Sequence, residues 1–162
     1  MRASRRCLRA FAFDVGDLKL GTAVSDPSMR IAQPYKLYKL ATFTPGGKEI
    51  VWRPADAIAK QIDQDLRRSR LRIKTLVVGL PLALDGAPTL QCKKTVAFVE
   101  ELLAHSALLP SRCEFHDERF TSVISREQLS SQNVREEKRR RLVDCLAATE
   151  ILRAYLKRLH FQ

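Results

Sequence analysis

No run of about 18 apolar residues occurs anywhere in the chain, so nothing is long enough to cross a bilayer as a helix. Glycine (6) and proline (7) are too sparse in 162 residues for a fibrous or low-complexity chain. The cysteines, Cys7, Cys92, Cys113 and Cys145, form no CxxC pair, and His105, His116 and His160 make no HExxH pattern. A structural zinc site is therefore not expected. The cysteines read as small packed residues of a reducing compartment. Aromatic residues make up only 7%, and Trp52, Phe115 and Phe120 form no stacking platform in the sequence, which disfavours a dedicated single-strand reader. No apolar segment follows the first arginines, which excludes a secretory signal. Acid is also scarce: 18 Asp and Glu stand against 29 Lys and Arg, a net charge of +11. That imbalance points to a polyanionic partner, nucleic acid first and an anionic membrane second.

What is present suits one globular domain, from residue 8 to 162, behind a basic tail at 1–7. Arg2, Arg5, Arg6 and Arg9, with Ser4 and no acid, suit the start of an organellar import sequence or a tail that touches nucleic acid. The expected location is accordingly the cytoplasm or an organellar matrix. Leu8–Phe13 reads as a strand ending at Asp14-Val15-Gly16, Leu20–Ser25 as its antiparallel return, and Tyr35–Leu40 as a third, more exposed strand. Thr44-Pro45-Gly46-Gly47 is a loop, and the whole stretch Thr42–Arg53 has no evident role. Ile58, Ile62 and Leu66 mark an amphipathic helix from Pro54. Thr75–Gly79 is an unbroken β-branched run, the mark of a buried parallel strand. A loop with Asp85-Gly86 at its tip leads to a helix over Thr89–Ala104 through Cys92, Val96, Val99 and Leu103. Cys113–His116 is a further strand. Val123–Leu129 is a short helix, Asn133–Arg141 a polar linker, and Val143–Leu159 a long final helix. This order predicts an α/β fold, one mixed central sheet flanked by helices on both faces.

Sites in such sheets form at the carboxyl ends of strands. Asp14 ends the first strand, Asp117 and Glu118 end the last, and Asp144 falls on the first turn of the final helix, where the small Ala147 and Ala148 would let the helix lie close to the sheet. Converging carboxylates need a cation, and their oxygens suit Mg²⁺ or Mn²⁺. Two such ions about 3.5–4 Å apart support phosphodiester hydrolysis. Each acid also has an ordinary use: turn chemistry for Asp14, capping for Asp117 and Glu118, a favourable helix-start charge for Asp144.

Four blocks carry a resemblance. Asp14-Val15-Gly16-Asp17-Leu18-Lys19-Leu20-Gly21 runs into Ala23-Val24-Ser25-Asp26-Pro27. Val77-Val78-Gly79-Leu80-Pro81-Leu82 precedes Asp85-Gly86. Asp117-Glu118-Arg119-Phe120-Thr121-Ser122 follows, and then Val143-Asp144 with Ala147-Ala148 and Ile151-Leu152. In this order, over residues 8–157, they resemble the YqgF family. The resemblance implies a ribonuclease H-like fold shared with Holliday-junction resolvases of the RuvC type. It implies a Mg²⁺-dependent nuclease that matures the 5′ end of precursor small-subunit (pre-16S) rRNA. Asp14, Glu118 and Asp144 would be the catalytic metal ligands, with Asp17 and Asp117 supporting them. Lys19, Arg119, Thr121 and Ser122 would contact substrate. Many bacterial members read G-T-K-R-I-G after the first Asp. Here Asp17 replaces the hydroxyl and Leu18 a basic residue, a form that resembles plant-type members.

Lys138, Arg139, Arg140 and Arg141, with Arg135, stand just before Asp144 and are expected to contact phosphate. The run Arg67–Lys74 falls at a helix end away from the site, as dipole complement or second RNA contact. Cys145 reads as a core residue rather than a nucleophile, since no histidine is placed beside it. The expected function is cleavage of precursor rRNA by a monomer or homodimer, with no membrane involved. The alternatives are a DNA junction resolvase, which needs a two-fold dimer, and a non-catalytic, ribosome-associated RNA-binding protein.

Overall fold

The computed structural model describes residues 8–83, 85–117 and 145–161. The tail at 1–7, the expected helix at 123–129 and the basic linker at 133–141 lie outside the described residues. Strands β1 (Leu8–Val15) and β2 (Lys19–Ser25) form the antiparallel pair, and β3 (Ala32–Lys39) adds to β2. Strands β4 (Ala41–Phe43) and β5 (Ile50–Trp52) form a separate two-stranded ribbon. After helix α1 (Ala55–Arg68), strand β6 (Arg72–Leu80) lies parallel to β1. Helix α2 (Leu90–His105) leads to β7 (Cys113–Asp117), parallel to β6. Helix α3 (Leu146–His160) closes the chain. The main sheet runs β3-β2-β1-β6-β7, the mixed α/β architecture that the strand and helix pattern predicts.

Alternation along β1 divides the molecule into two layers. Phe11 and Phe13 point to one face and pack with Leu76, Val78, and the Ile58, Ile62 and Leu66 stripe of α1, with Val99 and Leu102 of α2. Ala10, Ala12, Ala23 and Val77 point to the other, where α3 lays down Ala148, Ile151, Leu152, Tyr155 and Leu156. Small sheet residues let α3 lie close; large ones fill the wider space under two helices. Two buried acids of α1 fix the first layer. Asp63 accepts from Ser106 Oγ (2.6 Å) and the Ala107 amide (2.7 Å), which ties α1 to the end of α2. Asp65 accepts from Lys36 Nζ (2.7 Å) and Tyr38 Oη (3.2 Å), which ties α1 to the edge strand.

The loop read at Thr44-Pro45-Gly46-Gly47 joins β4 to β5, two short strands that the sequence pattern does not announce. Two expectations are corrected. The buried stripe of α2 is Cys92, Thr95, Val99 and Leu102 rather than Cys92, Val96, Val99 and Leu103. A polar Thr takes a core place, and the buried row turns by one residue. Finally, the small residues at the start of α3, described from Leu146, do not both face the sheet: Ala147 is exposed while Ala148 packs on it, and Asp144 lies outside the described residues.

Candidate active site

Asp14 lies near the carboxyl end of β1, on the face that carries Ala10 and Ala12. Its direct partner on β2 is Gly21. On β6 it falls one step past the Phe13–Val78 pair, alongside Gly79. Neither neighbour has a side chain, so the carboxylate stands on cleared ground. The β1–β2 turn is held tight by Gly16, whose amide donates to the Lys19 carbonyl at 2.9 Å. A Cβ on Gly16 would meet that oxygen at 3.1 Å, closer than the turn can accept without moving.

Burial pushes the Asp14 carboxyl up from its ordinary value, and no ion pair offsets this among the described residues. An open cavity of about 360 Å³ lies over the site, lined by Asp14, Gly16, Asp17, Gly79, Pro81 and Gln91. Alternation on β2 sets the exposed Lys19 on the same face and at the same end as Asp14. Asp17 sits exposed in the turn. Asp117 pairs with Leu80 at the end of β7, one strand beyond β6. Thus Asp14, Asp17, Lys19 and Asp117 all come to the same end of the sheet.

The remaining expected site residues, Glu118, Arg119, Thr121, Ser122, Lys138, Arg139, Arg140, Arg141 and Asp144, lie outside the described residues. Among the described residues no three His, Cys, Asp or Glu side chains gather as metal ligands. Glu118 follows the last residue of β7, and Asp144 stands two residues before α3, the helix that covers Asp14's face of the sheet. Cys145 is buried, as expected of a packing residue.

Sequence reasoning missed several residues here. Gln91 joins Asp14 in the same cavity from the first turn of α2. Thr89 caps that helix by accepting from the Cys92 amide (3.0 Å), and its hydroxyl donates to the Pro81 carbonyl (2.7 Å). An N-cap Thr before a helical period was a visible signal; its second bond was not. His116 pairs with Gly79 across β6 and β7. Burial, then the charge of Arg158, lowers its pKa, against a smaller opposite pull from Asp117. Trp52 and Phe98 of α2 both line a second cavity, a pairing the sequence pattern does not show. The two rings are 46 positions apart in the chain (98 − 52), and no local pattern relates them.

A family model described as RuvX, Holliday junction resolvase, matches residues 8–158. A relative from Corynebacterium diphtheriae is 32% identical over 151 residues, covering 91% of this chain and 83% of its own. One from Sulfurihydrogenibium sp. is 32% identical over 155 residues, covering 94% and 92%. One from Clostridioides difficile is 32% identical over 148 residues, covering 91% and 93%. All three carry the name "Putative pre-16S rRNA nuclease". The match spans every strand of the main sheet and runs through nearly all of α3, the helix that packs over Asp14's face, and on that ground the chain belongs to the RuvX/YqgF family, with its ribonuclease H-like fold.

Proposed function

We propose that this protein is a nuclease that hydrolyses phosphodiester bonds and trims the 5′ end of a pre-16S rRNA precursor. One observation carries the reading. Asp14 is a partly desolvated carboxylate on glycine-cleared ground at the end of a central strand, with no counter-ion among the described residues, in a chain of net charge +11. Such an oxygen donor fits a hard divalent cation, Mg²⁺ or Mn²⁺. Asp14, Glu118 and Asp144 would hold a two-ion centre. When bound, the ions lower the pKa of the attacking water and stabilise the leaving oxygen.

The chain's own residues supply the rest. Asp14, on its rigid strand, would fix where such an ion sits, and through it the reacting phosphate. Lys19, on the same face, meets a non-bridging phosphate oxygen. Asp17 and Asp117 hold the ligands in place. Arg119, Thr121, Ser122 and the run Lys138, Arg139, Arg140 and Arg141 guide the polyanionic backbone, each a point charge or donor that phosphate accepts. The reaction belongs in the cytoplasm, or in an organellar matrix where the arginine-rich start serves as an import sequence. Among the described residues no helix is long and apolar enough to cross a membrane.

The description of the matching family model favours a second reading, resolution of DNA four-way junctions by a homodimer. One experiment separates the two. A 5′-extended small-subunit rRNA precursor and a four-way DNA junction are each incubated with Mg²⁺, Mn²⁺ or EDTA, using wild type and Asp14→Asn. The expected result is metal-dependent cutting of the RNA alone, lost in Asp14→Asn. Cutting of the junction alone establishes the second reading. Tight, salt-sensitive binding without cutting of either would overturn both and leave an RNA-binding protein.

A further inference from the structure

The cleft at Asp14 does not end at Asp17. Val15, Gly16, Asp17 and Gln91 also line the second cavity, of about 320 Å³, which continues towards the β4–β5 ribbon. Cavities of roughly 300 Å³ and more hold small ligands. Trp52, at the end of β5 and 59% exposed, and the half-buried Phe98 of α2 supply its aromatic surfaces. Lys94 and Arg53 bring positive charge, set against the carboxylates of Asp17 and Glu101 in the same lining. Thr95 also lines it; the residue is only 1% exposed, yet its Oγ1 has no hydrogen-bond partner. A buried hydroxyl without a partner is costly, and Thr95 stands in the wall of this cavity.

We propose that this cavity receives one unstacked nucleobase of the substrate strand, next to the phosphate held at Asp14. The proposal rests on the nuclease reading for its neighbour but not for its own test. The chemistry matches on each side: an aromatic face accepts any base, a buried hydroxyl and the Gln91 amide meet a base edge, and the cations meet the flanking phosphates. Phe43, Ile50, Val51 and Trp52 are 60%, 46%, 49% and 59% exposed, an apolar patch that the core does not need. Duplex bases are stacked and cannot enter, so the inferred substrate is unpaired within a nucleotide of the cut.

Trp52 is the sole tryptophan, so its emission reports on this cavity alone. The full chain, in EDTA to prevent turnover, is titrated with a short single-stranded RNA, the same strand made abasic, a blunt duplex, and inorganic polyphosphate. Only the strand with bases is expected to quench Trp52. By anisotropy, Trp52→Ala weakens that strand about tenfold and leaves the duplex unchanged. Thr95→Val keeps the shape, weakens the strand severalfold, and shifts the order of preference among the four homopolymers. Equal quenching by the abasic strand or polyphosphate, or equal weakening of strand and duplex, overturns the proposal. So does quenching that follows protein concentration instead of RNA, since the ribbon would then be a contact between copies. Asp14→Asn separates the two readings: it is expected to abolish cleavage and keep the quenching. If it keeps both, the nuclease reading fails and the base site stands.

Discussion

Asp14 is unfavourable where it stands until something positive joins it. Its carboxyl is raised above the ordinary value by burial, so the folded chain holds that proton more tightly than the unfolded chain does. Between the unfolded and folded pKa values stability therefore falls as pH rises, and above both the loss is complete. Asp14→Asn is expected to melt higher than wild type at neutral pH in EDTA, with the difference vanishing below about pH 4, where the unfolded-state carboxyl is protonated too. Melting curves against pH check this; parallel profiles for the two proteins would mean a well-solvated carboxylate. Thr95 follows the same logic with a hydroxyl. Thr95→Val removes an unpaired buried polar group and should stabilise by about 1 kcal/mol, or roughly 2–4 °C in melting temperature for a chain of this size. A hydroxyl with only a structural role would give a loss instead. Both residues show what a sequence reveals. Asp14 was legible because an acid ending an apolar strand is a visible pattern. Thr95 was not, because a threonine inside a helical stripe looks like surface until the packing places it in the core.

Among the elements, the start of α2 sets the rim of the site. Thr89 caps the helix through the Cys92 amide and holds Pro81, which lines the Asp14 cavity. Thr89→Ala is expected to cost about 1 kcal/mol of stability and to lower the cleavage rate beyond what that loss explains, since Pro81 is released. Thr89→Ser should restore both, as it keeps the oxygen; melting temperature and single-turnover rate together test this. The strands β1, β2 and β6 and the helix α1 were readable because each buries a full face or stripe, so burial imprints its period on the residues. The ribbon was not readable. Its strands have three residues each, with only Ala41 buried, so the pattern has no inside and outside to alternate. A ribbon that short is marginal alone. It is tied to the domain where the Arg53 amide donates to the Leu40 carbonyl at 2.8 Å and the Leu40 amide to that of Leu18 at 2.9 Å, bonds between positions that no local spacing relates. The glycines of the family blocks also gain a physical reason. Gly21 and Gly79 flank Asp14 on neighbouring strands, a relation visible only once the sheet register is known.

At the scale of the molecule, the parallel pairing of β1 and β6 gives the sheet a direction, and charge follows it. Leu8 pairs with Arg72 at one end, while Asp14 and Gly79 stand about seven residues further on, roughly 23 Å at 3.3 Å per residue. The last turn of α1, with Arg67 and Arg68, leads into β6 at the far end. The basic run at Lys138, Arg139, Arg140 and Arg141 comes shortly before Asp144 and α3 in the chain. The order of the family blocks was legible along the chain, but the placement of Arg67 and Arg68 at the end of the sheet far from Asp14 was legible only in part, since charge carries no period of its own. It yields a directional prediction. Removing both charges at the far end, Arg67→Gln with Arg68→Gln, should leave binding of a short substrate within about twofold, because a solvated charge more than a Debye length of about 8–10 Å away is screened. Replacing Lys138, Arg139, Arg140 and Arg141 with Gln should weaken the same substrate by tenfold or more at 0.15 M salt and flatten log K against log salt by about one unit for each phosphate no longer neutralised. Salt titrations of both variants measure it directly. Equal slopes for the two would mean that the +11 charge acts as a diffuse field, whereas weakening confined to the second variant would assign phosphate binding to the segment that leads from β7 into α3.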